Sequence, residues 1–585
     1  MATLILLHKT YATMNAPTKN QRKFLPKDFE IKAWEQIQTF YENLSHRAIF
    51  NIPSLKQWLA DRSELESALA EEMAWRYIRM TCYTAEVAYQ EDFQFFVEQI
   101  QPHITQYSHR LNQKLLQCPL LEELTGEEGY KIMIRSLHKQ AEIFREENIP
   151  LQTSLQSKEQ KYGEISGAMS IVWQGTEITL PQANNLLLEA DRAVRQGAFE
   201  AMQARRLQEA DGLQALFDEL LALRHQIARN AGFDNFRDYM FAALGRFDYS
   251  PQHCFDFHEA VAQQVVPILN ERMQLRKTQM ALPELRPWDK QCDPLQQPAL
   301  VPFRSSEELV EKTIACLQRI DPYFAECLST MQAQGHLDLE SRKNKAPGGY
   351  NYPLAESDIP FIFMNATSNL RDLTTLLHES GHAVHAFLSK DLPLQAFKDP
   401  TAEVAELASM AMELLTMEAW DVFFDKAEDL RRAKIEHLEE ILETLPWVAT
   451  IDKFQHWLYE HPQHSTQERN EAWLRIFEEF ADSITDWTGL ERIKAHLWQK
   501  QLHLFEVPFY YIEYGFAQLG AIAFWLYYRQ NQQKTLAQYK AALSLGYTRS
   551  IPEIYQAAGI AFRFSADYIA ELMDFVKAEL AALEQ

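Results

Sequence analysis

Cysteine is scarce: 585 residues carry six, Cys82, Cys118, Cys254, Cys292, Cys316 and Cys327, and no two sit at a short paired spacing. That excludes a disulfide framework of the kind that staples small secreted domains, and it gives no sign of a cysteine-built zinc site. Positive charge is in deficit, with 57 Lys and Arg against 81 Asp and Glu and a net charge of −24. Nucleic acid is thereby excluded as a partner, because neutralising phosphates takes the opposite sign. The negative field favours cationic peptides, although most of these charges read as solvated helix faces. No apolar stretch is long enough to span a bilayer, which excludes a membrane partner. The run from Met1 to His8 is too short and lacks the charged lead of a signal peptide, so a cytoplasmic protein is expected. Internal repeats and low-complexity tracts are absent, and strand signals are rare.

What is present is helical periodicity nearly everywhere, as over Ser63 to Tyr89, Gln182 to Asn230, Ser305 to Gln334 and Lys426 to Thr444. With 46% hydrophobic residues the chain can bury a large core, and its length divides that core into two or more lobes. The expectation is a mainly α protein with an N-terminal helical lobe over 1–180 and a helical catalytic domain over 181–585. The clearest strand signal, Met169 to Leu180, reads as a hairpin turning at Gln174-Gly175. The prolines between Pro283 and Pro302 mark an irregular connection.

One segment names a chemistry. Thr374 to His385 reads Thr-Thr-Leu-Leu-His-Glu-Ser-Gly-His-Ala-Val-His. At about 3.6 residues per turn, His378 and His382 share one helix face, where two ring nitrogens can hold one metal ion. Glu379 leaves the helix about 100° away from His378, near the metal but poorly placed to ligate it, which suits a general base. The apolar flanks Leu373, Leu376, Leu377, Val384, Phe387 and Leu388 predict a buried helix, and Gly381 inside it predicts a close approach to its backbone. His385, one turn past His382, is at most a neighbour of the ligands.

A catalytic zinc takes three protein ligands, leaving one position for water. The third is expected on the next helix, which starts after Asp399-Pro400 with Thr401 as a candidate N-cap. Glu403, Glu406 and Glu413 share a face there, and Glu406, mid-helix, is the best-supported ligand. Glu403 and Glu413 are then candidates to orient the ligating histidines, against the plainer reading of a solvated acidic face.

These residues carry a family resemblance. Pro360 to Asn365, Asp372 to His385 and Glu403 to Met410 together resemble the oligoendopeptidase F branch of the thimet oligopeptidase family, over a stretch running from about Asp191 to the C-terminus. In that family the third zinc ligand is a glutamate about 25 residues past the second histidine, and Glu406 lies 24 residues past His382. The resemblance implies a helical shell around a deep channel that admits short peptides, with a small β element beside the zinc helix and one Zn2+ per chain. It also matches Gln501 to Gly515 to a C-terminal segment of histidine and tyrosines facing the zinc. By resemblance His503 and Tyr510 or Tyr514 would stabilise the oxyanion. The plainer reading of that segment is an aromatic core helix, with tyrosines packed at i and i+4.

Ahead of the zinc helix, Gly348 to Pro353 and Ile359 to Asn365 read as a glycine loop entering a short strand, and an exposed strand edge there would bind a peptide main chain without reading its side chains. The expectation is therefore an oligopeptidase that cleaves internal bonds of short peptides. Its zinc would sit on His378, His382 and Glu406, with Glu379 as general base. The alternatives are a zinc carboxypeptidase of similar build, for which Arg549 would be a terminal-carboxylate anchor if it were not simply a surface arginine, and a peptide-binding protein with a structural zinc.

Overall fold

The computed structural model describes residues 22–585; the run at Met1 to His8 lies outside them. Among the described residues helices account for about 70%, with two small sheets. No described helix is long and apolar enough to cross a membrane.

Two large cores and two small apolar clusters organise the described residues. Of the two cores, the smaller gathers Leu25, Trp58, Leu111, Leu137 and their neighbours, and reaches across to Leu394 and Phe397. The main core starts at Tyr162 and runs through Leu580. Helix Asn148–Gly167 and the hairpin Ser170–Trp173 with Thr176–Thr179 open that main core, contributing Tyr162 and Ile171 to it. The hairpin turns where the sequence placed it, with Gln174 and Gly175 at φ of 49° and 84°. Two successive left-handed residues match the right-handed twist of the flanking strands.

The long helical stretches break where local chemistry demands. Ser305 to Gln334 divides into Ser306–Ile320 and Pro322–Gln334, because Asp321-Pro322 stops one helix and caps the next. Lys426 to Thr444 instead continues as Ala427–Glu460, carrying Pro446 in its interior. An interior proline costs about 3 kcal/mol in an isolated helix. Burial of Leu445, Val448, Ala449, Ile451 and Phe454 around it offsets that cost, so packing decides against local propensity.

The second sheet has three strands in the order Leu337–Glu340, Phe361–Ala366, Tyr350–Tyr352. Phe361–Ala366 is central, parallel to the first and antiparallel to the last. The strand read as an exposed edge is thus paired on both sides. The free edge near the candidate zinc helix belongs to Tyr350–Tyr352, whose outer side meets no strand among the described residues.

Candidate active site

The zinc-motif helix, Leu370–Ser389, starts at a capping box in which Asn369 Oδ1 accepts from the Asp372 amide and the Asp372 carboxylate accepts from the Asn369 amide. Its interior faces helix Ala402–Thr416. The two backbones meet at Gly381, where a Cβ would lie 2.5 Å from Ser409 Cα and 2.7 Å from the Ala408 carbonyl oxygen. That is the close approach the glycine foretold, and it lets side chains of the two helices share one site.

They do so at His378, His382 and Glu406. One ligand atom from each lies within 4.8 Å of the others, with His378 Nε2 and His382 Nε2 at 3.2 and 3.7 Å from Glu406 Oε2. Two imidazole nitrogens and a carboxylate oxygen are the donors a catalytic zinc takes, so the residues fit the ion. Burial works against the Glu406 carboxylate, but His382 and His378 hold its pKa down at about 2. Burial also works against a charged His378. The carboxylates of Glu406 and Glu413 outweigh it and raise the ring well above the usual histidine value. His382 has less compensation and is pushed down to about 4.

The orienting groups sort differently from expectation. Glu413 Oε1 takes His378 Nδ1 at 2.7 Å, leaving Nε2 to face Glu406. Glu403 does not reach the histidines: it is buried on the far side with Arg246, Tyr249 and Glu513. The backbone of Ala405 stands at His382 instead. His385 is buried, with no hydrogen-bond partner at Nε2, and contacts neither Glu406 nor Glu413 by any bond.

Glu379 is buried, its Oε2 without a hydrogen-bond partner, and burial lifts its pKa to about 7, with His378 opposing. Its surroundings come from the edge strand. Asn351 Nδ2 donates to the Glu379 carbonyl oxygen at 3.0 Å, and a Cβ on Gly349 would stand 3.8 Å from Glu379 Oε1.

The C-terminal segment is not one helix. His503 lies on the short helix Leu502–Glu506, and Ile512–Gln530 begins only after Tyr510 and Tyr511. Between them Phe509 takes a φ of 66°, strained for a residue with a Cβ, and is held there by Gln455 Oε1 at 2.5 Å from its amide and by Arg246 on its carbonyl. The bend turns Tyr510 inward, where its hydroxyl donates to Glu406 Oε1 at 2.6 Å. Tyr514 follows one helical turn on, its hydroxyl 3.3 Å from His503 Nε2. Both tyrosines therefore reach the candidate site, Tyr510 at the Glu406 carboxylate and Tyr514 at His503.

Family models match the chain on both sides of the hairpin: a peptidase M3 N-terminal domain over 24–144 and peptidase family M3 over 185–574. The chain belongs to peptidase family M3. Among its relatives are the group B oligopeptidase PepB of Streptococcus agalactiae, 22% identical over 360 residues that cover 60% of this chain and 58% of the relative, and an oligoendopeptidase F homolog of Lactococcus lactis, 22% identical over 70% of this chain and 67% of the relative. The first alignment thus spans little more than half of its relative. The fold matches PZ peptidase A bound to an inhibitor, with a TM-score of 0.91, 24% identity and coverage of 96% of this chain and 99% of that one. It also matches an oligoendopeptidase F of Enterococcus faecium, with a TM-score of 0.64, 16% identity and coverage of 94% and 97%.

Four side chains of this M3 site escaped the sequence reading. Asn351 and Gln501 stand in loops or strands whose spacing to the motif means nothing locally. Ser409, three residues past Glu406 on the same helix, has its hydroxyl 3.4 Å from Glu406 Oε2, a proximity that i, i+3 spacing could have signalled. His437, on the long helix, is buried with Nε2 3.7 Å from Glu413 Oε2, and nothing in its neighbourhood of sequence marks it. Gln501 matters most. Trp447 Nε1 donates to its Oε1 at 3.0 Å, so its Nε2 turns to His503 Nδ1 at 2.7 Å. That makes Nδ1 an acceptor and leaves the proton of the neutral ring on Nε2, the nitrogen beside Tyr514. Burial pushes the ring's pKa down to about 4, which keeps it neutral near pH 7.

Proposed function

We propose that this M3 peptidase is a zinc-dependent oligopeptidase that hydrolyses internal bonds of short peptides. The observation that carries the reading is the convergence of His378, His382 and Glu406 beside a buried glutamate whose pKa stands near neutrality. His378, His382 and Glu406 would hold one Zn2+, which when bound supplies a Lewis acid that polarises a carbonyl and acidifies a water.

The remaining work belongs to the protein. Glu379, the buried carboxylate beside that site, takes a proton from the attacking water and returns it to the leaving amine. His503 presents a neutral Nε2–H, and Tyr514 a hydroxyl, toward the charge that develops on the scissile oxygen. Tyr510 fixes the Glu406 carboxylate and can turn its hydroxyl to the same oxygen once that carboxylate is engaged elsewhere. A substrate main chain would align along the free edge of Tyr350–Tyr352, a backbone contact indifferent to side-chain identity. Internal cleavage is favoured over carboxypeptidase action because Arg549 is half-exposed and paired with Glu128 at 3.0 Å. The cytoplasm is the proposed location.

Glu379→Gln tests the role of the base. Zinc content by elemental analysis stays at the wild-type level while hydrolysis of a quenched fluorescent peptide falls by a factor on the order of 10²–10⁴. Unchanged hydrolysis would remove Glu379 from the reaction. A substrate amidated at its C-terminus is cleaved as fast as the free acid; loss of cleavage on amidation would establish a carboxypeptidase instead.

A further inference from the structure

A second group of ligand-type side chains lies away from the zinc motif. Helix Pro251–Gln264 places Cys254 and His258 one turn apart on its buried face, and the long helix Ala427–Glu460 places Asp452 and His456 one turn apart opposite them. All four are buried: Cys254 and Asp452 expose none of their surface, and the two histidines 2% each. Cys254 Sγ, an Asp452 carboxylate oxygen and a His456 ring nitrogen come within 4.8 Å of one another.

The hydrogen bonding inside the cluster is incomplete. Asp452 Oδ2 takes His258 Nε2 at 2.9 Å, but Asp452 Oδ1 has no partner. His456 Nε2 stands 3.2 Å from Oδ2 without hydrogen-bond alignment, and neither of its ring nitrogens is bonded. The thiol has only a weak contact, 3.9 Å from the Ser250 carbonyl. Aromatic rings close the surroundings, with Phe255 and Phe509 centred 4.7 and 5.5 Å from His456 and Phe480 centred 6.3 Å from His258, so water is a poor substitute partner. Buried polar atoms left unbonded cost about 1–3 kcal/mol each. Unbonded ligand-type atoms on Asp452 and His456, gathered within 4.8 Å around one buried thiol, call for an occupant.

We propose that Cys254, Asp452 and His456 bind a second divalent metal ion of the zinc class, its fourth position taken by a water that enters with the ion, and His258 holds the Asp452 carboxylate in place. Bond lengths of about 2.0–2.3 Å to nitrogen, oxygen and sulfur put tetrahedral ligand pairs about 3.3–3.7 Å apart, and the 3.2 Å separation of His456 Nε2 and Asp452 Oδ2 equals that of His378 Nε2 and Glu406 Oε2 in the first site. The charge also balances. A thiolate and a carboxylate neutralise a dication, which a site this deeply buried requires. Binding replaces the Cys254 S–H bond by a sulfur–metal bond and releases the thiol proton to solvent as the chain folds around the ion. The held element is consequential: His456 packs on Phe509 and its neighbour Gln455 bonds the Phe509 amide, so the ion would brace the strained bend that delivers Tyr510.

The ion enters during folding, so the full-length protein is produced in cobalt-supplemented medium and dialysed against chelator before cobalt is counted and its absorption recorded. The first site holds no sulfur, so a thiolate-to-cobalt charge-transfer band in the near ultraviolet reports the second site alone. His382→Ala is expected to keep the band and one retained cobalt per chain, and Cys254→Ser to lose both the band and that cobalt. If Cys254→Ser does not fold, wild type and His382→Ala decide the matter between them. A His382→Ala protein with no retained cobalt and no thiolate band overturns the proposal and leaves the cluster as an Asp–His hydrogen-bond network. That result would not bear on the zinc peptidase reading, which rests on the other site.

Discussion

At the scale of single residues, the site is a chain of protonation states set by neighbours. Trp447 fixes the Gln501 amide, Gln501 fixes the His503 tautomer, and His503 turns its Nε2–H toward Tyr514. Gln501→Leu removes the donor at Nδ1, and the ring then populates both tautomers. The expected result is a kcat lowered on the order of tenfold, less than the loss of a whole oxyanion donor, with KM little changed. Nitrogen-15 shifts of the His503 ring check the cause directly, because an unaltered tautomer pattern would leave the orientation argument without support. His378 supports a second prediction. Glu406 and Glu413 raise its pKa although burial opposes the charge, so the ring is protonated near pH 7 when no metal competes. His382 and Glu406, with pKa values pushed down, have no proton to lose there. Zinc binding should therefore release about one proton from His378 and up to half of another from Glu379, whose pKa stands at about 7 without metal, and affinity should climb with pH until the raised His378 pKa is passed. Calorimetry in buffers of different ionisation enthalpy measures that proton, and a release near zero would refute the assignment.

At the scale of elements, two helices bring His378, His382 and Glu406 together only because Gly381 lets them touch. Gly381→Ala would gain about 1 kcal/mol of helix propensity. The new methyl group, however, would stand 2.5 Å from Ser409 Cα, a backbone atom that cannot swing aside. Overpacking at a site of this kind costs about 1–3 kcal/mol, so the clash outweighs the propensity. Urea denaturation should show a net loss on the order of 1–2 kcal/mol, with weaker zinc retention as the helices separate. A stabilised variant would mean the interface relaxes more freely than its backbone contacts indicate. The strained bend at Phe509 works on the same scale. Without it Tyr510 and Tyr514 would ride one helix; with it, Tyr510 reaches the Glu406 carboxylate while Tyr514 stays beside His503.

At the scale of the whole molecule, charge is the property with a direct consequence. A net charge of −24 attracts cationic substrates over distances of about 10 Å at 0.1 M salt, and added salt screens it. For a peptide rich in Lys and Arg, kcat/KM should fall as ionic strength rises, while an uncharged peptide of equal length should be unaffected. Equal salt dependence for both would assign the charge to solubility alone.

Sequence by itself determined most of the helices, one hairpin and the residues of the motif. Helical periodicity, the hairpin at Gln174-Gly175, the i, i+4 histidines, the glutamate beside them and the glycine of close approach are all local patterns, and a local pattern survives in one dimension. The long-range partners were legible only in part. Glu406 could be singled out because it lies on the helix that follows, and Glu413 as one of two candidates. Glu403 was the false one, since its position on that helix turns it toward Arg246 and Glu513. Tertiary structure alone decided the rest. It made Phe361–Ala366 a central strand and Tyr350–Tyr352 the free edge, brought His437, Asn351 and Gln501 to the site, and set Cys254 against Asp452 and His456 across some two hundred residues of chain. Side chains so distant in sequence share no periodicity, and only the packing of their helices, driven by buried apolar faces that carry no record of which polar groups they bring together, can put them within bonding reach.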